Sequence, residues 1–300
     1  MSSQLKVGVV GAGVFAGYHA GKVFAHDRAI LSGIYDRHEA SAVALAEKFN
    51  TSAFTDVVEL AKISDALIIA IPASFHTEAA LMGLDHDCHL LVEKPLASSV
   101  ETATQIVKGA EKAHRVLQVG HQERIVTQVI GLHAIKARPI QIDIIRHTPR
   151  ATRNLDASVV MDLMVHDLDL LNALYGEPDW INTEMGKRVY SDELDVVRAE
   201  AGFGEMTAYL SASRDADLDR RWVLRYAEGT IEIDFGQKTL RHDTPFTLDA
   251  EFGSRPHVQD NLAAAFDCFV RACLDGTRPL ATGGDGLAAV KVAAQIEGTL

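Results

Sequence analysis

Cysteine is scarce. Cys88, Cys268 and Cys273 are the three in 300 residues, an odd count with no C-x-x-C spacing. That excludes a disulfide framework and a thiolate metal site, and it fits a reducing compartment. Positive charge is also short: 29 Lys and Arg stand against 41 Asp and Glu, for a net charge of −12. The dense basic surface required by a phosphate backbone is missing, so nucleic acid is not an expected partner. Long apolar runs are absent too. ALIIAIPA (66–73) is the most apolar stretch and is far too short to span a bilayer, and MSSQ leads into LKVGVVG without a basic and then apolar leader. The sequence reads as soluble and cytoplasmic, with no membrane partner, no internal repeat and no segment biased enough for disorder. A chain of this length buries roughly three quarters of its unfolded surface, enough for two packed domains without disulfide or metal staples.

The first 120 residues alternate short apolar runs with amphipathic stretches. LKVGVVG, AILSGIYD, DALIIAIP, HLLVEKP and RVLQVG are continuous and rich in Val, Ile and Leu, as in strands covered on both faces. Helical patterns at 14–26, 38–49, 75–87 and 99–113 separate them. This alternation predicts an α/β domain over 1–120, a doubly wound parallel sheet of Rossmann type. After Gly120 the rhythm changes. A helical stretch at 125–136, the strand PIQIDIIRH and an irregular segment lead to the helix VMDLMVHDLDLLNALYG, which Gly176 and Pro178 stop. WINTEMGKRVY, DVVRAEAGFG, EMTAYLSASR, RRWVLRYAEG and GTIEIDFG then follow as strands without crossovers. They predict an α+β domain over 121–300 with an open, mainly antiparallel sheet. Helices at about 257–275 and 285–298 close the chain and are expected to pack back on the first domain. Apolar residues alternating along AYLSAS and WVLRY suggest a sheet face that joins subunits into a homodimer or homotetramer.

Gly11-x-Gly13-x-x-Ala16 follows the first strand and opens a helix. Gly11 permits the tight turn, Gly13 lets backbone amides approach a pyrophosphate, and Ala16 is small enough for the helix to pack on the sheet. The helix N-terminus then favours phosphate charge through its N–H groups and dipole. With Ala12, Val14 and Phe15, these residues form the expected dinucleotide cradle. Asp36 ends the second strand, where a carboxylate accepts ribose hydroxyls and repels a 2′-phosphate, which favours NAD over NADP. Arg37 could instead pair with that phosphate or stack on adenine. Ile71-Pro72 closes a strand at its carboxyl end, where ligands sit in open α/β sheets. His76 just beyond either faces the nicotinamide or lies on the surface.

Glu93-Lys94-Pro95 ends a buried strand, an unusual place for two charges unless they face a ligand crevice. Lys94 there can hold a substrate hydroxyl or be tuned for proton transfer. In VMDLMVHDLDLLNAL, Asp162, His166 and Asp169 fall within about 80° on a helical wheel that is otherwise apolar. A polar stripe on a buried helix is either paired or functional. Asp162, four residues before His166, could orient the imidazole and raise its basicity. No further cluster completes a metal site, and none is expected.

In this order, VGVVGAGVFA, Pro72 with His76, Glu93-Lys94-Pro95 and Asp162-x-x-x-His166 resemble the glucose-fructose oxidoreductase/inositol dehydrogenase/rhizopine catabolism (Gfo/Idh/MocA) family, over essentially the whole chain. The resemblance implies an NAD(P)-dependent oxidoreductase acting on a sugar, sugar nucleotide or cyclitol. It implies that Lys94, Asp162 and His166 form the catalytic group, with a cis bond before Pro95. Arg124 and Asn154, and with them Arg153, are then expected to grip substrate. VGHQER (119–124) and DLMVHDLDLL are similar to strings in a subgroup containing UDP-N-acetylglucosamine 3-dehydrogenases. That subgroup continues Phe-Asn-Pro where this chain has Ile125-Val126-Thr127. Two other readings of the fold are a dinucleotide-sensing protein without chemistry, against which the retained Lys94, Asp162 and His166 speak, and a reductase of a non-sugar substrate.

Overall fold

Strand and helix alternate through the first part of the chain in a computed structural model that describes residues 4–150 and 155–298. The order is β1 (Leu5–Val10), α1 (Val14–Ala25), β2 (Ala29–Tyr35), α2 (Glu39–Lys48), β3 (Ala53–Phe54), α3 (Val57–Lys62), β4 (Ala66–Ile69), α4 (His76–Asp85), β5 (His89–Val92), α5 (Val100–Ala113) and β6 (Leu117–Val119). Then come α6 (Arg124–Ile130), β7 (Gln141–His147), α7 (Val165–Tyr175), β8 (Trp180–Lys187), β9 (Val196–Phe203), β10 (Met206–Ser213), β11 (Asp219–Tyr226), β12 (Gly229–Asp234) and β13 (Thr239–His242). Helices α8 (Pro256–Gln259), α9 (Asn261–Asp275) and α10 (Gly283–Gly298) follow. No helix among the described residues is long and apolar enough to cross a membrane. Arg153 and Asn154 lie outside the described residues.

Two compact units emerge. One comprises the residues up to Gln122 together with Asp260–Leu287, and the other Glu123–Gln259 with the residues from Ala288 on.

The first unit holds a six-stranded parallel sheet in the order β3-β2-β1-β4-β5-β6. Val7, Val9, Ile68 and Leu90 are fully buried on its central strands, so their continuous apolar sequences meet helices on both faces. Strand order reverses between β1 and β4, which places the glycine turn and Ile71-Pro72 at the carboxyl ends flanking that switch point. Phe266, Phe269 and Val270 of α9 join Leu5, Val7, Ala16 and Ala20 in one core. Gln118 ties the same segment down: its Nε2 donates to the Ala265 carbonyl at 2.9 Å and its Oε1 accepts from the Leu280 amide at 3.1 Å.

In the second unit the sheet order is β13-β12-β11-β7-β10-β9-β8, antiparallel throughout except for the parallel pair β7–β10. Ile142, Ile144, Ala208, Leu210, Ala212, Trp222 and Leu224 point to the buried face. Alternation along AYLSAS and WVLRY therefore fills this unit's own core. The opposite face is a polar mixture that includes Asp143, His147, Tyr209, Ser211 and Arg225. Helix α6 stops earlier than its pattern suggests because Gly131 adopts φ +96°. The short elements β3, α3 and β13 escape periodicity, since a strand of two residues or a helix of six shows too little of its period.

Asp195 fastens the β8–β9 connection. Its Oδ2 accepts the amides of Val189 at 2.7 Å, Tyr190 at 2.9 Å and Ser191 at 3.2 Å, while Arg214 Nε lies 3.2 Å from Oδ1. Burial pushes this carboxyl up, but the Tyr190 and Val189 amides and the Ser191 hydroxyl outweigh it and bring it down to about 2. A depressed folded value contributes stability above the unfolded Asp value near ~3.9 and loses it as pH falls through the folded one. Asp195→Asn is therefore expected to cost about 2–3 kcal/mol at neutral pH, with the gap closing between pH ~4 and ~2. Urea midpoints measured across that range check it, and a gap independent of pH would contradict the assignment.

Candidate active site

The turn after β1 depends on one residue. Gly11 has φ +112°, and a Cβ there would lie 2.5 Å from the Ala70 carbonyl oxygen, so only glycine is accommodated. Gly13, the N-cap of α1, is different: a Cβ there would meet nothing within 4 Å. Among the described residues no side chain caps the helix at this glycine. Open space before uncapped helix amides is what a pyrophosphate needs, and the residues present fit a dinucleotide. Ala16 is fully buried against the sheet, while Val14 and Phe15 are exposed at the helix mouth.

Asp36 lies just past β2 and braces the glycine loop. Its Oδ2 accepts the Ala12 amide and its Oδ1 the His38 amide, both at 2.8 Å. Each carboxylate oxygen keeps further acceptor capacity for a ribose hydroxyl. The Arg37 guanidinium sits 5.7 Å from the centre of the exposed Phe75 ring, a cation–π distance beside the same loop.

His76 is not a surface residue. It is 1% exposed, with Nε2 at 2.9 Å from the Ile71 carbonyl oxygen and Nδ1 at 3.0 Å from that of Pro95. Burial lowers its proton affinity against the pull of those carbonyls. The ring clasps the ends of two loops from inside and so does not lie on the surface, because α4 turns its first residue inward. Ile71 is half-buried and Pro72 exposed.

Glu93 also turns inward. His19 of α1 places Nε2 2.7 Å from Glu93 Oε1, and the Lys94 amide donates to Oε2 at 3.2 Å. Burial pushes the Glu93 carboxyl up, yet His19 and Lys94 hold it below the usual carboxylate range. Gly120 leaves room for it, since a Cβ there would be 2.8 Å from both carboxylate oxygens. The charged pair at the strand end thus divides: Glu93 is a buried anchor, and Lys94 is half-buried with a cis peptide to Pro95.

In the second unit, Asp162 lies in a π-turn, Val160–Met164, that runs into α7. Ser158 starts this turn, accepting the Val160 amide at 3.2 Å and the Met161 amide at 3.1 Å on its hydroxyl and donating to Glu297. π-Turns recur at functional sites, and here one replaces the regular wheel assumed from sequence. Asp162 and His166 are half-buried, whereas Asp167 and Asp169 are almost fully buried. The expected stripe therefore splits. Asp169 takes Arg124 in a two-pronged pair, Nε to Oδ2 at 2.8 Å and Nη2 to Oδ1 at 2.6 Å. Arg124 is 6% exposed, and its guanidinium braces α6 to α7 through this pair.

Sequence reasoning missed a second buried group. Arg146 on β7 binds Asp167 through Nε at 2.6 Å and Nη2 at 2.9 Å, and also binds Glu123. Trp222 Nε1 donates to Asp167 Oδ1 at 2.8 Å. The signal was present: Arg146 continues the buried period-two face of Ile142 and Ile144.

Comparisons with known proteins agree with this geometry. The family described as "Oxidoreductase family, NAD-binding Rossmann fold" (Gfo/Idh/MocA) matches residues 5–121. UDP-N-acetylglucosamine 3-dehydrogenase of Acidithiobacillus ferrooxidans is 31% identical over 97% of this chain and 95% of its own length. A crystal structure of that enzyme superposes with a TM-score of 0.91, at 29% identity, covering 99% of this chain and 98% of the other. A Bordetella pertussis dehydrogenase solved with NADH and UDP-GlcNAcA has the same fold, with a TM-score of 0.87 at 19% identity over 100% of this chain and 96% of that one. Inositol 2-dehydrogenase 1 of Mycolicibacterium vanbaalenii is 22% identical over 94% of this chain and 87% of its own. With a full-length relative at this identity and the glycine turn built as described, the chain belongs to the Gfo/Idh/MocA family of NAD-binding oxidoreductases.

Proposed function

We propose that this enzyme interconverts a secondary alcohol and a ketone on a sugar ring, with a sugar nucleotide as the substrate class. The observation that carries the reading is the pair Asp162 and His166, half-buried and polar on a helical segment that buries Met164, Val165, Leu168 and Leu171 and takes up Asp167 and Asp169 in ion pairs. The full-length relative named for UDP-N-acetylglucosamine supports the substrate class. Held at the Gly11–Gly13 turn and by Asp36, a nicotinamide dinucleotide would supply the hydride acceptor. His166 removes the hydroxyl proton, and Asp162 orients the imidazole. Lys94 donates a hydrogen bond to the reacting oxygen and stabilises the charge that develops there. A protein that only sensed the dinucleotide would need none of these three side chains.

His166→Ala is expected to lower kcat by roughly a hundredfold to ten-thousandfold with NAD affinity retained, and Lys94→Ala to act in the same direction. NADH absorbance on a panel of UDP-sugars, free sugars and inositols checks this. Undiminished turnover in His166→Ala would remove that residue from the chemistry, and no turnover of any panel member by the wild type would overturn the substrate class.

NAD is the proposed cofactor in preference to NADP. The Asp36 carboxylate, oriented by two amides, opposes a 2′-phosphate, and the Arg37–Phe75 pair offers a stacking surface for adenine. Wild-type protein should bind NAD at least about tenfold more tightly than NADP, and Asp36→Ser should narrow that ratio. Fluorescence titration with both cofactors reads it, and an unchanged ratio in the variant would contradict the role.

The open face of the second unit's sheet is the proposed joining surface of a homodimer or homotetramer. Tyr209, Ile145 and Val223 provide its apolar part, among charged pairs such as Asp143 with Arg225. Light scattering at micromolar concentration is expected to give a multiple of the chain mass of 32.5 kDa, and a monomer would refute it.

A further inference from the structure

Glu123, immediately before α6, is 8% exposed and gathers charge from three directions. Arg146 reaches it from β7, with Nη2 to Oε2 at 2.7 Å and Nη1 to Oε1 at 3.2 Å. Arg220 reaches the same Oε1 from β11. The third neighbour is His166, whose Nδ1 lies 4.0 Å from that oxygen. Asp167, the other acid of the cluster, is taken up by Arg146 and Trp222. Two acids, Glu123 and Asp167, thus face two bases, Arg146 and Arg220, and the group is neutral while the imidazole is neutral.

We propose that Glu123 is the positioning residue for His166: it keeps Nδ1 turned toward the buried carboxylate, leaves Nε2 as the nitrogen that exchanges the substrate proton, and stabilises the imidazolium once that proton arrives. This rests on the reading of His166 as the proton acceptor given above. The usual expectation, an acid on the same helix, assigns that work to Asp162 alone. Glu123 has the additional property of a fixed charge. Burial pushes its carboxyl up, but Arg146, His166 and Arg220 outweigh this and keep it far below the ordinary range. It therefore stays ionised through any working pH, and its hydrogen bonds to arginines at both oxygens hold it in one orientation. The same arginines temper it. Because they offset its charge, the imidazole meets a neutralised cluster rather than a bare carboxylate. The charged group that faces the imidazole is Glu123 from the segment before α6, and behind it stand Arg146 from β7, Arg220 from β11 and, through Arg146, Asp167 of α7.

The test is a titration of His166 by proton–nitrogen NMR on the full-length enzyme, with kinetics alongside and His166→Ala used to assign the signal. Glu123→Gln is expected to lower the His166 midpoint by about one pH unit, a tenfold loss of proton affinity. At neutral pH its kcat should fall about ten- to a hundredfold with KM for NAD unchanged. Arg220→Gln removes a cation from the same oxygen and should move the midpoint upward, the opposite direction. Glu123→Asp should restore most of the loss. A purely structural role for the cluster predicts no such opposition, so shifts of one sign in both variants, or none in either, would overturn the proposal. If Glu123→Gln does not fold, the Arg220→Gln titration decides. Full turnover in His166→Ala with the opposed shifts present would sink the base role and leave the coupling standing. An inactive His166→Ala with an unmoved titration in Glu123→Gln would do the reverse.

Discussion

Arg146 is the constraint on which the second unit depends. A guanidinium carried into the interior by a strand cannot be neutralised by losing its proton, so it must be met by anions within hydrogen-bond reach. Glu123 and Asp167 meet it, and each belongs to a different part of the unit: one to the segment that leads into α6, the other to α7. One side chain on the sheet thereby fixes the position of the helix that carries Asp162 and His166 and of the turn beside it. Replacing Arg146 alone would leave Asp167 hydrogen-bonded only to the Trp222 N–H and Glu123 only to Arg220, which is why such clusters are stiff even where their net contribution to stability is small. Precision in a site follows from this kind of over-determination rather than from the strength of any one bond.

The first unit reaches rigidity by a different route. Its glycine turn is set by exclusion, since Gly11 packs against the Ala70 carbonyl, and by the Asp36 carboxylate that accepts the Ala12 amide. Beneath it, His19 and Glu93 join α1 to the end of β5, so the helix that faces the pyrophosphate position and the strand that presents Lys94 are tied together. His76 performs a comparable service for the loops after β4 and β5. These are polar contacts among otherwise apolar packing, His19 through Nε2 to Glu93 and His76 through both ring nitrogens to carbonyls.

The parts of this arrangement that were legible in sequence are those written in local order. The alternation of strand and helix, the glycine spacing, Asp36 at a strand end and the long buried helix each occupy contiguous residues, and they led to the parallel sheet and to the family. What was not legible required knowing which distant side chains meet. Nothing local in the sequence tells that Arg124, expected to grip substrate, meets Asp169. Glu123 and Arg124 are neighbours in sequence, yet each binds a different distant partner. Asp169 was grouped with Asp162 and His166 on a regular wheel, which the π-turn at Val160–Met164 does not continue. His76 was assigned to a ligand or to solvent because a histidine at a helix start is seldom expected to clasp two carbonyls in the interior.

The return of Asp260–Leu287 to the first unit has a consequence in time. During synthesis β1 to β6 leave the ribosome early, but the layer over β1 and α1 lacks Phe266, Phe269 and Val270 until the whole of Glu123–Gln259 has been made. For that interval the nascent sheet bears an apolar face with no cover, a state that invites chaperones and wrong pairings. Its closing contacts span more than two hundred residues, as between Lys22 and Asp260 or Arg28 and Asp275. Contacts so distant in sequence slow the final docking step of a fold. The second unit, whose sheet strands are contiguous in sequence, is free to form its sheet first, so the half of the protein translated earlier is the one that matures later.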